Sequence, residues 1–441
     1  MKHIFFFILI AVGFASNAQA VKVELSSNNG NWELLRNGKP YFIKGAGGDK
    51  HLDKLVEIGG NSIRTWSTDN ARQILDDAQK HGLTVMMGLW VQHERHGFDY
   101  DDEVKVKAQL EGFRRVVLEL KDHPALLFWG IGNEVDLNYS NTHVWDAIED
   151  IAKMIHTLDP NHPTSTITAG LDKDEVALIK AKAPNIDIYG INTYGDLGNI
   201  KKNIREFGWT GPYVISEWGP NGHWEVAKTS WNAPIEQSSN EKAEMYFNRY
   251  KDFIIGDREM CIGSYVFLWG QKQETTSTWY GLFSESGLTS EAIDRLELLW
   301  TGKEPRNRAP LLKSVQFNGK TKFEKIEVTA DQRCEAYALV NDLDGDKLKF
   351  DWLIIPESTD IRSGGDAESA PLPVQGLFSQ KRTESSVFRA PLEAGSYRLF
   401  VFVMDGKGHY SYENIPFYVN NASPDAIPSR AVSFKRLEMI P

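Results

Sequence analysis

The chain has 441 residues, 13 of them Trp and two Cys, and carries a formal net charge of −11. That acidity argues against nucleic acid and against anionic membrane surfaces as partners. The length accommodates two domains.

Residues 1–20 read as a secretory signal peptide: Lys2, an apolar stretch from Ile4 to Phe14, and the small-x-small site Ala18-Gln19-Ala20. The stretch is too short for a spanning helix, so no membrane insertion is expected. Without a cysteine at the cleavage site a lipid anchor is unsupported, and the location implied is periplasmic or extracellular. A short hairpin follows from Trp32 to Tyr41, turning at Asn37-Gly38. Eight short apolar runs then alternate with helical patterns: Phe42–Gly47, Ser62–Trp66, Thr84–Trp90, Leu126–Asn133, Thr164–Thr168, Asp187–Asn192, Tyr213–Ser216 and Ile262–Leu268. The intervening helices (Ala71–His81, Val104–Lys121, Val144–Leu158 and Lys242–Ile255 among them) carry apolar residues at three-to-four spacing. This rhythm predicts an α/β fold, a (β/α)8 TIM barrel over residues 21–304.

From Thr301 to Pro310 the chain is polar and Pro-bearing. Beyond it, short alternating runs at Lys325–Val328, Ala336–Val340, Leu348–Leu353, Ser386–Arg389, Tyr397–Met404 and Glu413–Val419 predict an all-β, immunoglobulin-like sandwich over residues 305–420. Residues 421–441 form a tail without periodicity. Asp342-Leu343-Asp344-Gly345-Asp346 lacks the closing Glu of a calcium loop, since position 353 is Leu, and reads as a polar hairpin turn. Cys261, inside an apolar strand, and Cys334 read as two buried, unpaired thiols.

Two predicted strands end in an acid: strand four at Asn133-Glu134, strand seven at Glu217. Parallel barrel strands deliver catalytic groups at their C-terminal ends, and two carboxylates on different strands suit glycoside hydrolysis. Structural salt bridges are the alternative for such acids. His93-Glu94-Arg95-His96 lacks the spacing of a zinc-protease helix and reads as cleft wall. No metal, cofactor or protein partner is implied.

With Asp122-His123-Pro124 before strand four, and Leu158-Asp159-Pro160 and His162-Pro163-Thr164 before strand five, the barrel resembles clan A of the retaining glycoside hydrolases, in particular the β-galactosidase and β-glucuronidase family. The resemblance covers about two-thirds of the mature chain. It implies Glu134 as general acid/base, Glu217 as nucleophile, and Asn133 as a ligand of the sugar 2-hydroxyl. It further implies that Arg64 holds Glu217 ionised, that Tyr194 donates to Glu217, and that Trp269 floors the site. Trp66 and Trp218 are assigned to substrate binding. Trp90, Trp224, Trp231 and Trp279 are either sugar platforms or core.

One sandwich behind the barrel resembles the layout of bacterial endo-β-1,3-glucanases, and the Trp-bearing loops Gly219–Asn240 and Gly270–Ser286 suit an open cleft for a polymer. The expected function is a secreted retaining β-glycoside hydrolase acting by double displacement, an endo-β-1,3-glucanase on a polysaccharide substrate. The alternatives are a β-glucan transglycosylase, an exo-acting β-galactosidase- or β-mannosidase-like enzyme, and a non-catalytic glycan-binding protein.

Overall fold

The computed structural model describes residues 19–421. The signal-peptide reading and the tail from 422 onward lie outside the described residues. Eight parallel strands close into a barrel in sequential order: Ile43–Gly47, Ser62–Arg64, Thr84–Leu89, Leu126–Ile131, Thr164–Ala169, Ile188–Asn192, Tyr213–Trp218 and Cys261–Val266. The sixth strand pairs with the seventh and the eighth with the first, so no edge is left unpaired. Inward residues such as Ile43, Met86, Leu127, Ile167 and Val214 fill the barrel interior. Their outward neighbours, Val85, Met87, Trp129 and Ile215, belong to the larger core shared with the helices. Alternation thus sorts strand residues between two cores, with Leu127 and Phe128 both inward where strand four shifts register against strand three, which is why these strands read as continuous apolar runs.

Ahead of the barrel lie three antiparallel strands, Val23–Asn28, Asn31–Arg36 and Lys39–Pro40. The predicted turn at Asn37-Gly38 has φ +51° and +69°, the left-handed pair that a two-residue hairpin turn needs. A second such turn at Asn29-Gly30 escaped the sequence reading and adds the first strand.

After the last barrel helix (Glu291–Thr301), two four-stranded sheets pack on one core that includes Phe317, Trp352, Leu399 and Phe417. The first sheet orders Leu311–Phe317, Arg333–Asn341, Ser385–Arg389, Phe378–Gln380. The second orders Glu327–Thr329, Tyr410–Asn420, Gly395–Met404, Lys349–Pro356. Leu311–Phe317 and Phe378–Gln380 were not predicted; the latter is three residues long and gives no alternation to read. In the Asp342–Asp346 segment, the Asp342 carboxylate accepts from the backbone of Asp344 and Asp346 at 3.0 and 2.8 Å, and the Asp344 carboxylate pairs with Arg308 at 2.8 Å, making it a polar turn. Cys261 and Cys334 are free and buried.

The sheets are seated firmly on the barrel. Buried Lys242 donates to Glu236 at 2.5 Å and to the Thr278 carbonyl at 2.7 Å, while Asn414 of the sandwich donates to Glu236 at 2.6 Å. Arg398 donates to the Pro234 carbonyl at 2.6 Å. Each buried charge in this seam has its partner, the condition under which burial is tolerated.

Candidate active site

The C-terminal ends of the barrel strands open onto a pocket of about 750 Å³ that contains Glu134 and Glu217. Strand seven carries Glu217 through an irregularity. Its register shifts between Ile215 and Glu217 against strand six, and again before Trp218 against strand eight. The shift turns Ser216 and Glu217 both toward the barrel axis and rotates the next residue outward.

Glu217 is almost fully enclosed by donors. Arg64, 1% exposed, donates to its Oε1 at 2.9 Å, as does the Trp66 indole at 2.7 Å, and the Tyr194 hydroxyl donates to Oε2 at 3.0 Å. Arg64 also donates to Asn133 Oδ1 at 2.5 Å, to Asn192 Oδ1 at 3.2 Å and to the Ser216 carbonyl at 2.8 Å. This orients Asn133 so that its amide NH2 is free to face a ligand. The four residues come from strands two, four, six and seven, so one guanidinium ties half the barrel mouth together.

Glu134 sits in a different environment. It follows Gly132 (φ +75°) and itself adopts φ +51°, held there by its backbone N–H donating to the Ile167 carbonyl at 2.9 Å. A non-glycine residue in the left-handed region is strained, and such strain gathers at functional positions. The Asn192 amide donates to its carboxyl at 2.8 Å. Burial pushes the Glu134 carboxyl up to about 8, with the negative charge of Glu217 as the second cause. At neutral pH it therefore keeps its proton. One carboxyl ringed by donors and one held protonated are the contrasting environments that a nucleophile and an acid require.

Trp66, Asn133 and Tyr194 line the pocket, and Arg64 lies buried behind Glu217. Two expectations fail. Trp218 is fully buried outside the barrel, between Tyr246 and Tyr250, because the strand-seven irregularity turns it away from the site. Trp269 is buried against Phe283 and donates to the His51 carbonyl, so it is not the floor of the site. Phe267 and Leu268, just before it, face the pocket instead. Of the unassigned tryptophans, Trp90 and Trp224 line the pocket and Trp224 is 56% exposed. Trp279 is core and Trp231 packs on Tyr418.

Sequence reasoning missed Asn192, whose single amide links Glu134, Asn133, Arg64 and Ser216. Its place at the end of strand six was the available signal. Glu225 was also missed; it accepts from the backbone of Gly195 and Gly222 and so ties the loops after strands six and seven together. The expected open cleft is instead walled on one side by Ile361–Asp366, from the sandwich.

Residues 49–280, a little over half of the chain, match the model of the glycosyl hydrolases family 2 TIM barrel domain. The chain belongs to glycosyl hydrolase family 2. This family 2 barrel is 25% identical over 267 residues to a β-glucuronidase of Streptococcus agalactiae, covering 48% of this chain and 42% of that protein. It is 22% identical over 183 residues to a β-glucuronidase of Homo sapiens, covering 37% and 26%. The chain thus spans less than half the length of the curated relatives it matches. A Bifidobacterium dentium β-glucuronidase complexed with coumarin-3-O-glucuronide superposes with a TM-score of 0.50 at 20% identity, over 64% of this chain and 49% of that one. A calcium-binding mutant of Bacteroides uniformis β-glucuronidase 2 gives 0.51 at 13%, over 90% and 48%. At these identities the structural likeness is one of fold.

The donor network makes a stability prediction. Arg64→Met in this family 2 barrel removes one buried donor from four acceptors, three of which keep another partner, and should cost about 2–4 kcal/mol. Tyr194→Phe removes one hydroxyl and should cost less than about 1 kcal/mol. Urea unfolding monitored by tryptophan fluorescence measures both; equal midpoints for the two variants would contradict the network.

Proposed function

We propose that this chain is a secreted retaining β-glycoside hydrolase acting on a neutral β-linked glucan, with endo-cleavage of β-1,3 linkages as the favoured specificity. The observation that carries the reading is the contrast between the two carboxyl groups: Glu217 held by three donors, Glu134 protonated at neutral pH. Glu217 attacks the anomeric carbon while Glu134 gives its proton to the departing glycosidic oxygen. The glycosyl-enzyme ester neutralises Glu217, so one cause of Glu134's raised proton affinity disappears and Glu134 can take a proton from water. Water then attacks the anomeric carbon, releases Glu217, and leaves the product with its original configuration. Asn133's free amide would meet the sugar 2-hydroxyl, a contact that strengthens as charge develops on the ring.

The named relatives raise a glucuronide as the other substrate. Charge speaks against it. Among the described residues that line the pocket, six are acids (Glu134, Asp196, Glu217, Glu225, Glu274 and Asp366), two are the cations Lys272 and Arg362, and one is a histidine, His223. Both cations are engaged, Lys272 by Glu274 at 2.9 Å and Arg362 by Asp360. A uronate carboxylate would enter a site in which carboxylates outnumber cations and each lining cation already faces a carboxylate, whereas a neutral sugar meets hydroxyl partners and exposed aromatic faces.

The sandwich supports the layout on which the β-1,3 reading rests, and we assign it to the immunoglobulin-like class. Its two strand orders correspond to those of such sandwiches. Trp352 is buried on the strand where their core tryptophan lies, and Tyr397 donates from its strand start to the Glu393 carbonyl at 3.0 Å, as a tyrosine corner does.

Assays on laminarin, β-1,4-glucan, galactan, mannan and matched aryl β-glucoside and β-glucuronide test the substrate. Laminarin should be cut to short oligosaccharides, and the aryl glucoside should be favoured over the glucuronide by at least about 100-fold, a charge-mismatch cost of several kcal/mol being ordinary. Preference for the glucuronide would overturn the neutral-sugar assignment.

A further inference from the structure

Residues 357–377 connect two strands of the sandwich, Lys349–Pro356 and Phe378–Gln380, yet their middle does not stay with the sandwich. It lies on the barrel mouth, and Ile361–Asp366 form part of the pocket that holds Glu134 and Glu217. Five residue pairs fasten it there. Arg95, in the loop after strand three, pairs with both Asp366 oxygens at 2.7 and 3.2 Å, and His96 meets the same carboxylate at 3.0 Å. Arg95 also donates to the Ser363 carbonyl at 3.2 Å. From the opposite side, in the loop after strand eight, Lys272 donates to the Gly365 carbonyl at 2.7 Å and the Thr275 N–H donates to Glu368 at 2.6 Å.

The seat is shaped for this backbone. Gly364 and Gly365 have φ +63° and +69°, and a Cβ on Gly364 would stand 2.8 Å from both Arg95 and Leu137. Glu368 and Asp360 brace the loop from within, accepting from the backbone of Arg362 and Ser369 at 3.0 Å each. Toward the pocket the loop presents Ile361, 46% exposed, and Arg362. A loop that only joined two strands would need neither the barrel clamp nor an exposed isoleucine beside an active site.

We propose that residues 357–377 are a specificity-determining wall of the substrate site, contributed by the sandwich and held by the Arg95–Asp366 clamp. Its ligand is the part of a neutral glycan chain beyond the sugar undergoing cleavage. Ile361 packs on a sugar's C–H face and Arg362 reaches ring hydroxyls. The clamp is a positioning device, since Arg95 acts through Asp366. The proposal rests on the glycosidase reading above and gives the sandwich a part in choosing the substrate.

The test compares kcat/KM on a β-1,3-glucan hexasaccharide with that on an aryl β-glucoside. The full chain is used, as wild type, with residues 360–369 replaced by Gly-Ser-Gly, as Asp366→Arg, and as the swapped pair Arg95→Asp with Asp366→Arg. In the shortened-loop and Asp366→Arg proteins the hexasaccharide-to-aryl ratio should fall at least about tenfold, mainly through KM, the size expected for losing contacts around one anchor. The swapped pair should recover part of the ratio. A ratio within about twofold of wild type in both variants would overturn the proposal. So would equal loss on both substrates with a lowered melting temperature, which marks a structural role. Should the shortened loop not fold, the Asp366→Arg comparison decides. A wild-type protein that turns over neither substrate, and whose Glu217 is not labelled by a 2-deoxy-2-fluoroglucosyl inactivator, would instead refute the glycosidase reading and the proposal with it.

Discussion

Glu217→Gly is expected to lower turnover of glycosides by at least about 10⁴-fold, the scale on which loss of a covalent nucleophile is felt. The variant opens a space where three donors, Arg64, Trp66 and Tyr194, still converge. Azide fits that space and carries the charge that those donors are arranged to receive. It should restore turnover of an activated aryl β-glycoside and yield the α-glycosyl azide, one inversion replacing two. Proton NMR of the product reads the outcome directly. A β-configured azide from this variant, or a wild-type product of inverted anomeric configuration, would remove the nucleophile assignment.

Glu134→Ala should split substrates by their leaving groups. Polymer and unactivated oligosaccharide should lose about 10²–10⁴-fold in kcat, because their departing oxygen needs a proton. A dinitrophenyl glycoside, which leaves without one, should keep a rapid first step and accumulate the glycosyl-enzyme, since no base remains to activate water. Glu134 titrates near 8, raised by burial and by the charge of Glu217. The protonated form is the donor, so kcat/KM on unactivated substrates should hold its plateau near neutrality and fall as pH rises through about 8. The limb should be absent from the Glu134→Ala profile. If wild type shows no alkaline limb between pH 7 and 9, or if the variant loses both substrate types equally, Glu134 is not the acid.

What the sequence by itself determined is the part of this protein that local periodicity encodes. Strand and helix lengths, the alternation that sorts Val85 from Met86, and an apolar run ending at Asn133-Glu134 are all properties of a few adjacent residues. They suffice to predict a parallel barrel and to place both glutamates at its C-terminal mouth, where parallel strands expose their ends. Arg64, Tyr194 and Asn133 were named through the resemblance to the retaining glycoside hydrolases, not through periodicity.

Side-chain direction past a strand's regular end was not legible. Strand seven shifts register against both of its neighbours, so Ser216 and Glu217 both face inward and Trp218, the next residue, faces out. A one-residue slip reverses every facing, and the slip is set by partners distant in sequence. Trp269 lies three residues beyond the end of strand eight, where alternation no longer applies, and Phe267 and Leu268 face the pocket instead. Asn192 looked like an ordinary strand-end residue until four strands met at its amide.

The wall from the sandwich lay furthest beyond the sequence's reach. Asp366 meets Arg95 across 271 residues of chain, and Gly364-Gly365 reads locally as any turn. Only the docking of one fold on the other brings that turn to the barrel mouth, and nothing in the local pattern of either partner specifies a contact whose energy exists only once both have folded.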